Sequence, residues 1–121
     1  MIQVLADQTK GILTLRFQEH VSGKDLQDGL EELKRGLSNM PPEFRLLTDL
    51  SKLEAMEYSC VPYIETVMDL CYQKGAREGI RIIPDPHKDP GLNIMSYFHY
   101  HGQVRITTCS SPEEAEQLLQ G

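Results

Sequence analysis

The residues of this chain best placed to do chemistry lie in one short stretch, Asp49 to Cys60. Ser59 falls where an amphipathic helix is expected to begin, with Glu57 two residues before it and Asp49 at the expected end of the preceding strand. A helix N-terminus presents unpaired backbone N–H groups and partial positive charge, so a phosphate on that serine would be favourably placed. The bland reading of the same hydroxyl is a helix cap that accepts a backbone N–H. Cys60 at a helix start could have a lowered thiol pKa, the environment reactive cysteines use. No histidine can be put beside it from sequence, so a small apolar residue in the first turn is the favoured reading. His99 and His101, with His87 and Asp89 nearby, offer imidazole and carboxylate to zinc or a similar ion. An H-x-H pair shares a face only on a strand, and on a helix the two rings diverge by about 200°, so no metal site is expected. Glu31, Glu32, Glu54 and Glu57 read as solvated carboxylates rather than an acid–base pair. Gly75-Ala76-Arg77-Glu78-Gly79 lacks the glycine spacing of a phosphate cradle. No catalytic residue, cofactor or reaction type follows, and the chain reads as non-enzymatic.

The elements that must position these residues follow from periodicity and punctuation. Ile2 to Leu5 and Ile12 to Phe17 alternate as two strands, and Asp7-Gln8-Thr9-Lys10-Gly11 between them is turn chemistry, which predicts a hairpin. Ser22-Gly23-Lys24-Asp25 has the form of a capping box, with Val21 and Leu26 as a hydrophobic staple. Leu26, Leu30, Leu33 and Leu37 continue at helical spacing until Asn39, and Met40-Pro41-Pro42 bars further helix. Phe44 to Leu50 is a buried strand. Val61, Ile64, Val67 or Met68, and Cys71 form a helical stripe that Gly75 ends, with Pro62 tolerated in the first turn. Gly79 to Ile83 is a strand, Pro84 to Gly91 a loop, Leu92 to Tyr100 a third helix closed by Gly102, and Val104 to Thr108 the last strand. Ser111-Pro112-Glu113-Glu114 starts a final helix, with Glu114 as the reciprocal partner of its N-cap and Ala115, Leu118 and Leu119 as its buried face.

The resulting order, β-β-α-β-α-β-α-β-α, predicts an α/β fold with a mixed, mostly parallel sheet flanked by helices. A length of 121 residues suits a single domain over 1–121. A net charge of -6 disfavours nucleic acid and anionic membrane surfaces as partners. The first residues lack a basic leader with a long apolar region, and no apolar run approaches the ~20 residues of a membrane span. Cys60, Cys71 and Cys109 are odd in number and show no C-x-x-C spacing, which fits a reducing cytoplasm.

This order and length resemble the STAS domain of anti-sigma factor antagonists and the wider set of SpoIIAA-like proteins, over nearly the whole chain. Phe44-Arg45-Leu46-Leu47-Thr48-Asp49-Leu50-Ser51 is similar to the family's hydrophobic strand closed by an aspartate. Ala55-Met56-Glu57-Tyr58-Ser59-Cys60-Val61 sits where the family carries Asp-Ser-Ser/Thr-Gly-Leu, with Tyr58 in place of the first serine and Cys60 in place of the glycine. Gly102, the following strand and Ser110-Ser111-Pro112-Glu113-Glu114-Ala115 are similar to its tail. The resemblance implies a phosphorylatable serine at Ser59, with Glu57, Asp49, Tyr58 and Cys60 around it. It also implies a regulatory protein–protein role with an anti-sigma factor or switch kinase as partner. A phosphate there would turn a smooth docking surface into one that repels an acidic partner. An exposed apolar patch near the second helix would point to such a partner or to a homodimer. A second class is a SpoIIAA-like domain for a small apolar molecule or lipid, without a phosphoserine switch. In that case Met95, Tyr97, Phe98 and Tyr100, with Tyr58 and Tyr63, would line a pocket beside the sheet. A pocket larger than a few side chains with apolar walls supports that class, and a filled core with a flat face around Ser59 supports docking.

Overall fold

Alternation of strand and helix patterns along the chain is realised as a sheet with helices on both faces. The computed structural model describes residues 1–85, 95 and 99–120. The elements are β1 (Ile2–Asp7), β2 (Ile12–Val21), α1 (Gly23–Ser38), β3 (Arg45–Met56), a 3-10 turn at Tyr58–Cys60, α2 (Val61–Gln73), β4 (Glu78–Ile82), β5 (Arg105–Cys109) and α3 (Pro112–Gln120). Of the expected helix Leu92 to Tyr100 only Met95, His99 and Tyr100 are among the described residues, and most of the loop Pro84 to Gly91 lies outside them, as do Tyr97 and Phe98. The five strands are hydrogen-bonded in the order β1-β2-β3-β4-β5. The opening hairpin makes β1 antiparallel to β2, and every later pair is parallel, as crossover helices require. The α/β architecture expected from sequence is therefore the one found.

Register decides which side chains meet which helix. Leu13, Leu15 and Phe17 of β2 and Leu46 and Leu50 of β3 share one face, where they pack with Leu26, Leu33 and Leu37 of α1 and Ile64, Val67, Met68 and Cys71 of α2. In β4 successive residues serve opposite faces, so Gly79 and Arg81 lie opposite Leu46 and Thr48 on the α1/α2 side. Ile80 and Ile82 point the other way and join Cys109, Ala115, Leu47 and Leu119 in a smaller cluster under α3. Burial on both faces explains why this strand reads as a nearly continuous apolar run.

Local signals set the helix ends. The Ser22 hydroxyl accepts the Asp25 N–H at 3.1 Å and the Asp25 carboxylate accepts the Ser22 N–H at 2.9 Å, completing the capping box. Val21 and Leu26, the staple pair, are both buried. Gly75, with φ of +100°, supplies the left-handed residue after α2. Ser111 accepts the Glu114 N–H at 3.2 Å, but the Glu114 carboxylate takes its bond from the Ser110 hydroxyl rather than returning to the N-cap backbone.

Two expectations are corrected. The third strand does not close at Asp49 or end at Leu50: β4 leaves β3 at the Asp49–Ile82 pair, while β2 stays paired with β3 as far as Val21–Met56. The two strands thus run on past the sheet as a ribbon, with register shifts after Arg16 and after Glu19, whose φ is +59°. Ser51 to Ala55 look like loop residues because pairing with β2, rather than burial, holds them. The second helix, in turn, begins at Val61 and not at Ser59, because Tyr58–Cys60 form a 3-10 turn first.

Candidate functional site

The ribbon ends where three elements converge. Its last rung is the Glu57 N–H bonded to the Val21 carbonyl at 3.0 Å, which sets the 3-10 turn against the first residues of α1. Ser59 is exposed there, and its hydroxyl accepts the Gly23 N–H at 3.1 Å and donates to Glu57 Oε1 at 3.3 Å. Glu57 Oε2 lies 2.6 Å from His20 Nε2. Ser59 therefore caps a helix, but the helix is α1 and not α2, because the turn aims its side chain across the junction. With Ser22 already bonded to Asp25, a second hydroxyl satisfies another of the N–H groups left free at the start of α1.

Close approach makes this possible. A Cβ at Gly23 would lie 2.8 Å from both the carbonyl oxygen and the hydroxyl oxygen of Ser59, so only glycine lets the turn sit on the helix end. The sequence signal was a glycine placed as the first residue after an N-cap serine, where it costs helix stability and gains nothing locally. His20 had no such signal and was missed.

Charge at the junction is mixed. The hydrogen bond from His20, and then that from Ser59, holds the Glu57 carboxyl below its ordinary value. The Asp25 carboxyl is lowered chiefly by the backbone bond from Ser22. Cys60 behaves oppositely to a reactive thiol: it is fully buried, its Sγ donates to the Val21 carbonyl at 3.4 Å, and burial raises its pKa. The apolar reading holds for it.

Around Ser59 the surface is accessible but not the flat face expected of a docking site, because the turn and the start of α2 leave a groove between them. Tyr58 is 94% exposed, and an open groove of about 250 Å³ runs along Met56, Glu57, Tyr58, Val61 and Ile64. Asp49 takes no part. It lies seven residues before the end of β3, roughly 20 Å of strand away. Its carboxylate accepts the Ser51 N–H at 2.9 Å, lies 3.6 Å from Arg16 Nε and acts on the Cys109 thiol. The carboxylate beside Ser59 is Glu57 alone among the residues expected there.

The described residues among those expected to line a ligand pocket are dispersed. Tyr100 is buried, Met95 and Tyr63 are half-buried against the core, and Tyr58 is out in solvent. The cavity between the sheet and α2, lined by residues that include Phe17, Met68, Arg81 and Tyr100, measures about 30 Å³, the room of one water. His99 and His101 take different partners: His99 bonds Glu65 and Asp69, and the ring of His101 lies 5.1 Å from that of Tyr72. Among the described residues no group of three His, Cys, Asp or Glu is arranged to hold a metal ion, and no helix is long and apolar enough to cross a membrane.

No family model matches the sequence, and no curated protein matches it. Solved structures do. An uncharacterized protein of the DUF3478 family with a SpoIIAA-like fold, from Shewanella loihica PV-4, superposes with a TM-score of 0.71 at 14% identity, covering 98% of this chain and 92% of its own. The unphosphorylated form of the anti-sigma factor antagonist SpoIIAA gives 0.66 at 15% identity over 100% of this chain and 99% of its own. The phosphorylated form of the Bacillus cell fate determinant SpoIIAA gives 0.63 at 13% identity over 98% and 99%. Over nearly its whole length this chain has the SpoIIAA-like, STAS-type fold.

Proposed function

We propose that this chain is a single, non-enzymatic STAS-like domain of a cytoplasmic regulatory system. It docks a protein partner through the surface around Ser59, and phosphorylation of that serine controls the docking. The observation that carries the reading is that Ser59 is exposed yet wired into the fold, joining the N-terminus of α1 to Glu57 and His20 beside an unburied tyrosine. A phosphate at this oxygen adds nearly two negative charges within about 3.3 Å of a carboxylate that is already ionised. Glu57 is then driven off Ser59, and the charge must be desolvated by any partner that covers Tyr58 and the adjoining groove. Solved forms of SpoIIAA, an anti-sigma factor antagonist by name, include a phosphorylated one, which supports an anti-sigma factor or switch kinase as the partner class. Among the described residues the cavity beside the sheet measures about 30 Å³, which supports docking over the uptake of a lipid or small apolar molecule at that place.

Two measurements test this. Intact-mass analysis of protein recovered from its native cell with phosphatases inhibited is expected to show a singly phosphorylated form that Ser59→Ala lacks. Pull-downs with wild type, Ser59→Ala and Ser59→Asp are expected to retain different partners, the aspartate variant losing what the other two hold. Identical retention by all three, with no phosphorylated form, overturns the proposal.

A further inference from the structure

A second polar cluster lies on α2, away from Ser59, and the docking reading does not use it. His99 Nδ1 lies 2.7 Å from Asp69 Oδ1, and its Nε2 lies 2.8 Å from Glu65 Oε2. The two carboxylates are one helical turn apart on α2, at i and i+4, and form a fork that closes on a single ring. An ionised carboxylate only accepts hydrogen bonds, and a neutral imidazole has one N–H to give. Both bonds can therefore be made only by an imidazolium. The ring is 21% exposed, whereas the carboxylates are nearly half exposed, so the histidine is the enclosed partner.

The next two residues grip the same helix by other means. Tyr100 is 2% exposed in the core, and its hydroxyl, raised by burial, faces Cys71 of α2 and Arg81 of β4. His101 lays its ring against Tyr72 of α2, and the Tyr100 carbonyl accepts the Gln103 N–H at 2.8 Å on the way into β5. Among the described residues, Glu65 and Asp69 are the charged groups that face His99. Cys71, Tyr72 and Arg81 face its two neighbours.

We propose that His99 is a proton-operated clasp that ties residues 99–101 to α2. When the ring loses its proton, one nitrogen turns a lone pair toward a carboxylate oxygen less than 3 Å away, so one of the two bonds must break. His99 then keeps a single bond to α2, and Tyr100 and the turn that leads into β5 rest on that bond, on the Tyr100–Arg81 hydrogen bond and on packing. The bonds it donates to Glu65, and then to Asp69, raise the pKa of His99 in the fold. The clasp is thus fully closed below the ordinary histidine pKa and opens as pH rises through the raised one.

NMR of the whole chain from about pH 5 to about pH 9 tests this, with the His99 ring assigned by its loss in His99→Gln. His99 is expected to titrate above the ordinary histidine value, and Tyr100 ring signals are expected to move at the same midpoint. The Gln103 amide is expected to gain about tenfold in hydrogen exchange beyond the intrinsic effect of base, while the Leu26 amide of α1 shows no such gain. The double variant Glu65→Gln/Asp69→Asn keeps the histidine and is expected to lower that midpoint, which keeps the test open should His99→Gln not fold. A His99 titration at or below the ordinary value, or Tyr100 and Gln103 signals that ignore it, overturns the clasp.

Discussion

Two histidines are held against carboxylate, one at the junction before α2 and one on α2 itself, and the two sites do opposite work. At the junction His20 meets Glu57 with side chains 60% and 47% exposed, so water competes for each group and the pair contributes little to stability. Further along, His99 is enclosed between two carboxylates, with its neighbour Tyr100 in the core. What separates them is burial and the number of acceptors, not residue type. The first site leaves a polar junction and a bare tyrosine on the surface, available to be read or modified. The second fixes a protonation state and fastens the chain.

Substitutions at the two sites should diverge accordingly, and urea unfolding monitored by circular dichroism measures the difference. Tyr100→Ala empties a core position and is expected to cost about 3 kcal/mol. If it cost no more than a surface change, the second site would not be a structural fastening. Gly23→Ala comes next at about 2 kcal/mol, since its methyl group meets backbone as well as side chain at Ser59 and must push the turn away. A neutral outcome would mean that Ser59 is not pressed against α1.

Protonation separates the sites in another way. Because the folded pKa of His99 is raised, its contribution to stability is present in full below the unfolded value and is lost as pH rises through the folded one. Wild type should therefore lose stability relative to His99→Gln across that window, and parallel pH profiles of the two proteins would contradict the assignment. Ser59→Ala is expected to cost about 1 kcal/mol or less, because water can reach the Gly23 N–H once the hydroxyl is gone. Smallest of all, Tyr58→Ala should change stability by no more than about 0.5 kcal/mol. A larger loss would show that Tyr58 packs in solution and is not a free surface group.

Much of the scaffold was legible because it is written locally. The capping box at Ser22, the leucine stripe of α1 and the proline-led start of α3 each use residues within one or two turns of one another. The isoleucines of β4 announced a short strand, and its burial on both faces came from the fold. Where reading failed, the deciding partner was far along the chain. The polar stretch after Leu50 carries no strand signal of its own and becomes one because β2 extends alongside it. Ser59 was given to the helix nearest in sequence, whereas its hydroxyl serves Gly23, 36 residues away.

The sequence alone determined the alternation of elements, the faces they bury and the kind of sheet that can contain them, since period, caps and turn residues act over a few positions. Only the tertiary structure decided where Ser59 points, which carboxylate stands beside it and that His99 closes on a fork 30 and 34 residues back. Those outcomes depend on how strands extend and helices converge, and such geometry is fixed by packing over the whole chain and not by neighbours in sequence.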